Sequence, residues 1–343
     1  MKILLISPTQ SGIGGIAQYI KGLTMYLKKQ GHTVEIISSE NTFTIPIKNL
    51  KNPSFMVSSY LKTKFKSDYD IVHAQNPSSA LAMKNISGKK IISLWGMYGD
   101  QIELLHGKIL GNLSKKFEKN ALQWADVITV PSKEMYDFYK DKGYKVEFLS
   151  NAIDISSLPK NEERLYTKQI IFVGRLSEEK GILDVIDAAK KLPNEINLLI
   201  LGTGPEELKV KKLAEKLSNV HYLGYQPKDK VIPLIRGSDI LIQPSLMEGS
   251  ISSTLIEAMA CKVPIITTTA GANKETIEHL KTAYIIKSNS PDSIIDGINY
   301  LFSNEQDRIK LTENAYVLAK NFDWNTIGKR HLEIYEKMLE SIN

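Results

Sequence analysis

Short runs of branched aliphatic residues alternate with amphipathic stretches along the whole chain. Residues 2–7, 33–38, 70–74, 90–94, 126–130 and 145–149 read as strands, and helical spacing of apolar positions fills the intervals between them. That alternation predicts a mostly parallel sheet covered by helices. A polar, charged stretch then runs from Asn151-Ala152-Ile153-Asp154 through Asn161-Glu162-Glu163-Arg164, and the rhythm restarts at Gln169-Ile170-Ile171-Phe172-Val173. Further strands are expected at 197–201, 220–223, 240–243, 263–267 and 283–286. The fold class expected is therefore α/β, with two Rossmann-like domains, residues 1–155 and 165–325, whose parallel sheets face across a cleft. Ligands of open α/β sheets bind outside the carboxyl ends of strands, so the loops that follow strands are where chemistry is sought.

Composition narrows the class. The 343 residues exceed one comfortable core, and 42% hydrophobic with 24% charged residues is the profile of a globular protein. Residues 1–8 read as a first strand rather than a secretion signal, and no run is apolar enough to cross a bilayer. A single cysteine, Cys261, rules out an intramolecular disulfide or a cysteine-clustered metal site and fits a cytoplasmic protein. A net charge of +6 favours anionic partners such as phosphates, nucleic acid or an acidic lipid face, without choosing among them.

Three loops carry candidate chemistry. The first, Ser11-Gly12-Ile13-Gly14-Gly15-Ile16-Ala17, satisfies G-x-G-x-x-A and allows a phosphate to approach a helix amino terminus; a tight turn without a ligand is its plain alternative. A nicotinamide dinucleotide would need an acidic residue at the end of the second strand, where Glu40 follows Ser38-Ser39, and this remains a minor alternative. In the second loop, Gly174-Arg175-Leu176-Ser177-Glu178-Glu179-Lys180-Gly181, the fork of Arg175 and the point charge of Lys180 suit a diphosphate. The third runs from Gln243 through Glu248 to Glu257-Ala258-Met259-Ala260, with Ser250, Ser252, Ser253 and Thr254 as candidate helix caps whose amides can receive phosphate oxygens. Glu248 and Glu257 flank that anion site and call for hydroxyl partners, which sugars and ribose supply.

Together these loops resemble glycosyltransferase family four, with its Gly-Gly loop, its G-R-[LF]-x-x-x-K-G loop and its E-x7-E segment before E-A-M-A. The resemblance spans nearly the whole chain and implies a GT-B fold and a retaining, metal-independent glycosyltransferase without a cofactor. It implies a hexosyl group moved from a UDP- or GDP-sugar to a saccharide or lipid-linked acceptor in cell-surface polysaccharide synthesis. By that likeness Arg175 and Lys180 hold the donor diphosphate and Glu257 the ribose hydroxyls, Glu248 sits by the transferred sugar, and Gly14 and Gly15 approach the distal phosphate. Residues 1–155, with a returning helix at 326–343, would bind the acceptor, and 165–325 the donor. Glu248 and Glu257 are separated by eight residues rather than seven, Lys262 stands where the family often has glycine, and Trp95 stands where it often has histidine.

On the acceptor side the candidates are His73, Trp95 and Asp100; His73 can equally be structural, and Trp95 an ordinary partly buried tryptophan. Asp68-Tyr69-Asp70 imitates a metal motif but precedes a strand, and no metal site is expected. The segment 50–66 mixes Phe55, Met56, Val57, Tyr60, Leu61 and Phe65 with Lys51, Lys62, Lys64 and Lys66, fitting either a peripheral membrane surface or a helix with a solvated lysine face. Two rivals to transfer remain: a nucleotide-sugar epimerase using His73 and Asp100 as acid and base, and an inert nucleotide-sugar-binding subunit.

Overall fold

The computed structural model describes residues 1–12, 14–47, 50–66, 68–96 and 108–340, apart from the side chains at 109, 110 and 113. The elements in chain order are β1 (Lys2–Ile6), α1 (Gly15–Lys29), β2 (Thr33–Ile37), α2 (Lys51–Thr63), β3 (Ile71–Ala74), α3 (Pro77–Ala80), β4 (Lys89–Ser93), α4 (Lys108–Leu122), β5 (Val127–Val130), α5 (Lys133–Asp141) and β6 (Val146–Phe148). They continue with β7 (Lys168–Val173), α6 (Ile182–Ala189), β8 (Ile196–Leu201), α7 (Glu207–Ala214), β9 (Val220–Gly224), α8 (Lys228–Arg236), β10 (Ile240–Gln243) and α9 (Ser253–Ala260). The chain closes with β11 (Ile265–Thr267), α10 (Asn273–Thr276), β12 (Tyr284–Ile285), α11 (Pro291–Ser303), α12 (Glu305–Ala319) and α13 (Trp324–Glu340).

The chain divides into two compact units, Met1–Ala152 together with Trp324–Asn343, and Ile153–Asp323. Each contains a six-stranded parallel sheet, ordered β2-β1-β3-β4-β5-β6 in the first and β12-β11-β10-β7-β8-β9 in the second. Parallel strands are covered on both faces, which is why β1 reads Ile3-Leu4-Leu5-Ile6 without alternation and all four side chains are fully buried. The strand order reverses between β1 and β3 in the first unit and between β7 and β10 in the second. At such a reversal the following loops diverge and leave a crevice at the carboxyl edge.

The first unit is closed by its last helix. The indole of Trp324 lies where a side chain on Gly22 of α1 would stand, and the Tyr26 ring lies where one on Gly328 of α13 would stand. Two separate sets of buried hydrogen bonds lie in the same interface: the Tyr19 hydroxyl meets His331 Nε2 at 2.6 Å, and the Tyr335 hydroxyl meets His73 Nδ1 at 2.7 Å. His73 Nε2 meets the Ser93 hydroxyl at 2.7 Å, and that hydroxyl meets Thr129 Oγ1 at 2.7 Å. All four ring side chains are 0–2% exposed.

Burial disfavours the charged imidazoles. It drives His73 well below its ordinary value, with the neighbouring His331 adding to the effect, and pushes His331 down to about 3. In the unfolded chain both take up a proton near pH 6.5, so the stability they contribute is complete above that pH and is lost as pH falls toward 3, at up to about 1.4 kcal/mol per pH unit for each ring. All three tryptophans, Trp95, Trp124 and Trp324, lie in the first unit, so tryptophan fluorescence follows its denaturation by urea. The expected result is a steep fall in its stability between pH 6.5 and 5 that becomes shallower in His331→Gln; equal slopes in the two proteins would contradict this account.

Candidate functional site

The loops after β7 and β10 meet at the strand reversal of the second unit. Gly181 sits at φ +71°, and a Cβ on it would fall on the Pro244 carbonyl oxygen, so only glycine lets the two loops lie this close. Leu246 N–H donates to the Glu179 carbonyl at 2.9 Å. From the other side, Gly271, at φ +49°, packs its α-carbon where a Cβ would fall on the Glu248 carbonyl oxygen. The backbone at Glu248 is thus held by the loops of both neighbouring strands.

The side chains here are paired charges. Lys180 Nζ donates to Glu248 Oε1 at 2.7 Å, with the two side chains 24% and 7% exposed. Lys228 Nζ lies 2.9 Å from Glu257 Oε1, and the Glu257 side chain is 10% exposed. Arg175 Nη1 is 3.6 Å from Glu179 Oε1, beyond hydrogen-bond length, and its guanidinium stands largely in solvent at 64% exposed. The sequence calls for hydroxyl partners at the two glutamates; within the chain each meets a lysine, because a carboxylate so far out of water demands a cation. Removing Lys180, the more enclosed of the two lysines, would leave the Glu248 carboxylate uncompensated out of water, a loss that typically costs about 3–5 kcal/mol for a buried pair. Lys228 is the functional candidate that sequence reasoning missed. It belongs to no motif, and its only signal is the need of a buried Glu257 for a counter-charge.

Ser252 occupies the amino-terminal cap of α9, but its hydroxyl accepts from Gln243 Nε2 at 3.0 Å and makes no cap bond to the helix. Ser253 and Thr254 form the half-buried first turn. Ser177 Oγ, Gln243 Oε1, Ser245 Oγ and Asn273 Oδ1, all at this same edge, are buried without a hydrogen-bond partner among the described residues. Polar atoms in that state are ones an incoming polar ligand or ordered water satisfies. Lys262, at φ +57°, takes the left-handed position after α9 that glycine usually fills, which makes its difference from the family a matter of a turn. Burial pushes the Cys261 thiol up to about 11, which leaves it an inert apolar side chain.

In the first unit, Gly14 caps α1 and Gly15 begins it; both are exposed, and a Cβ on either would meet nothing within 4 Å. The glycines therefore leave room above the helix terminus rather than serving internal packing. Glu40, the candidate for a dinucleotide ribose, is spent on the loop itself: its Oε1 accepts from Ser11 N–H at 2.6 Å and Gln10 N–H at 3.1 Å. Burial works against its ionisation, but the bonds from Ser11 and Gln10 outweigh it and hold the carboxyl below its ordinary value.

His73 requires a correction. It lies within β3, is fully buried and has both ring nitrogens engaged, so it faces the core and is not an acceptor-side group or the acid–base residue of an epimerase. Trp95 is half-buried, with its ring edge-on to Tyr19 at 4.4 Å and its Nε1 enclosed without a partner among the described residues. Asp100 lies outside the described residues. Asp68 accepts from Ser87, Tyr69 donates to Glu35, and Asp70 accepts from Lys2 N–H at 2.6 Å, which accounts for all three at the amino end of β3. Among the described residues no three His, Cys, Asp or Glu side chains gather as a metal ion would need.

Comparison with known proteins accords with this geometry. The family model described as Glycosyl transferases group 1 matches residues 155–318, and the model described as Glycosyltransferase Family 4 matches residues 13–157. An uncharacterised glycosyltransferase of Methanocaldococcus jannaschii is 27% identical over 361 aligned positions, covering 98% of this chain and 99% of that one. Sucrose-phosphate synthase from Thermosynechococcus elongatus superimposes with a TM-score of 0.82 at 17% identity, covering 99% of both chains. HepE of Anabaena, in complex with UDP-glucose, gives a TM-score of 0.73 at 17% identity over 98% of this chain and 100% of that one. With two family models meeting end to end, two six-stranded parallel sheets, and both the Gly-Gly loop and the Arg175–Lys180 loop placed at strand reversals, the chain belongs to glycosyltransferase family four and is a glycosyltransferase of the GT-B fold.

Proposed function

We propose that this enzyme transfers a hexosyl group, with retention of anomeric configuration, from a uridine or guanosine diphosphate sugar to a saccharide or lipid-linked acceptor in polysaccharide synthesis. The observation that carries the reading is the Lys180–Glu248 pair, a nearly dehydrated ion pair at the strand reversal of the second sheet. A donor diphosphate takes Lys180 away from Glu248, and the released carboxylate then accepts from a hydroxyl of the sugar. Arg175, already in solvent, closes on the same phosphates, and the amides of Ser253 and Thr254 at the start of α9 face the remaining oxygens. The HepE complex with UDP-glucose, alike in fold, supports a nucleotide-sugar donor.

In the reaction, the bond from the anomeric carbon to the diphosphate oxygen breaks and a bond to the acceptor oxygen forms on the same face. The acceptor proton passes to an oxygen of the departing diphosphate. Lys180 and Arg175 stabilise the charge that grows there, so neither a side-chain nucleophile nor a metal ion enters the scheme. Gly14 and Gly15 leave space for the distal phosphate at the start of α1.

A lipid-linked acceptor draws support from α2. Its inner face buries Phe55, Ser59 and Thr63, while Val57 and Leu61, one turn apart, are 52% and 50% exposed, and Phe65, in the turn that follows the helix, is 90% exposed. Phe43, 76% exposed, comes alongside through its carbonyl, which accepts from Ser58 at 2.6 Å. Lys51 and Lys64, exposed in the same segment, complement anionic headgroups at the cytoplasmic membrane face.

Thermal melting in the presence of UDP, GDP, ADP and their sugars should raise the midpoint for one diphosphate, as ligand at a hundredfold its Kd adds about 2.7 kcal/mol. Arg175→Ala, which leaves folding intact, should abolish most of that rise and lower kcat/KM for transfer by about 10²–10³; a flat response to every diphosphate, or an unchanged Arg175→Ala, would contradict the reading. The strip on α2 is tested by co-flotation with phosphatidylglycerol vesicles. Wild type should float and the double variant Leu61→Asp, Phe65→Asp should remain in the soluble fraction, whereas equal recovery of the two proteins would exclude membrane contact through this strip.

A further inference from the structure

Lys228 opens α8, directly after the loop that follows β9, and reaches the Glu257 carboxylate on α9 with its Nζ at 2.9 Å. The Lys228 side chain is 45% exposed and Glu257 only 10%. A pair so unevenly placed, with its cation half in water, adds little to stability. What it does add is orientation. A carboxylate offers acceptor sites on two oxygens; with Oε1 drawn to the ammonium by the ion pair, rotation of the group is restricted and Oε2 is left for a ligand.

Two vicinal hydroxyls of a ribose need an acceptor held in one plane, because each bond is directional and a freely rotating carboxylate loses entropy on being caught. The geometry points to Lys228 as a positioning residue for Glu257, and through it to a determinant of the preference for ribonucleotide over 2′-deoxyribonucleotide donors. This rests on the reading of Glu257 as the ribose partner. Lys228 acts by keeping the Glu257 carboxylate oriented before the donor arrives.

The experiment is calorimetric titration of the full chain with UDP, GDP and their 2′-deoxy counterparts, alongside steady-state kinetics. Wild type should bind its preferred ribonucleoside diphosphate about tenfold or more tightly than the deoxy form, the yield of a hydrogen bond to a charged group. In Lys228→Met that preference should shrink to about twofold, by loss of ribonucleotide affinity alone, with KM for the donor raised and kcat nearly unchanged. Lys228→Arg, which keeps a cation at the same place, should restore most of the preference. A full preference retained in Lys228→Met, or an arginine variant behaving as the methionine one does, overturns the assignment. Wild type that binds a diphosphate without regard to the 2′-hydroxyl overturns it too while leaving transferase function standing; wild type that binds no nucleoside diphosphate overturns both.

Discussion

A carboxylate removed from water has to be met by a cation, and much of the second unit is arranged around meeting that requirement twice. Glu248 and Glu257 lie near the carboxyl edge of the second sheet, and Lys180, in the loop after β7, and Lys228, at the start of α8, answer them. Neither pair is a plain stabilising device, since hydrophobic replacements of buried ion pairs are often as stable. In the proposed function their value is that both carboxylates stay largely out of water and in place, ready to be re-partnered by a ligand carrying phosphates at one end and hydroxyls along its length. The close approach of loops at Gly181 and Gly271 follows from the same need, because a Glu248 backbone free to drift would break the Lys180 contact.

The first unit meets a different constraint. Among the described residues no charged pair stands at the strand reversal of its sheet, and Gly14 and Gly15 leave open room over α1. The position of α1 is instead secured from behind by α13 through reciprocal glycine–aromatic contacts and the Tyr19–His331 and His73–Tyr335 bonds. Polar groups wholly inside a core bind in one register only, and this makes the last helix a fixed backing for the loop that follows β1.

The alternation of strands and helices, the place of each motif after a strand, and the two-sheet architecture were readable because parallel sheets write themselves as uninterrupted aliphatic runs, as in Ile3-Leu4-Leu5-Ile6 and Ile170-Ile171-Phe172. The Arg175–Lys180 loop and the Glu248–Glu257 segment were likewise visible as motifs. Partners distant in sequence were not. Nothing near Glu257 signals that Lys228, 29 positions earlier, neutralises it, and nothing near His73 signals Tyr335, which arrives 262 positions later from a returning helix. A histidine at the end of an apolar strand reads alike whether it faces solvent or a second layer of structure, and His73 faces the second layer.

The central claim is that Lys180 exchanges Glu248 for a donor phosphate. Phosphorus NMR of a nucleoside diphosphate titrated with the protein tests it most directly, since the two phosphorus atoms report separately. The account predicts that both resonances shift and broaden with wild type, and that Lys180→Gln, which keeps a hydrogen bond to Glu248 but no charge, leaves the β-phosphorus close to its free position. Identical shifts with wild type and Lys180→Gln would contradict it.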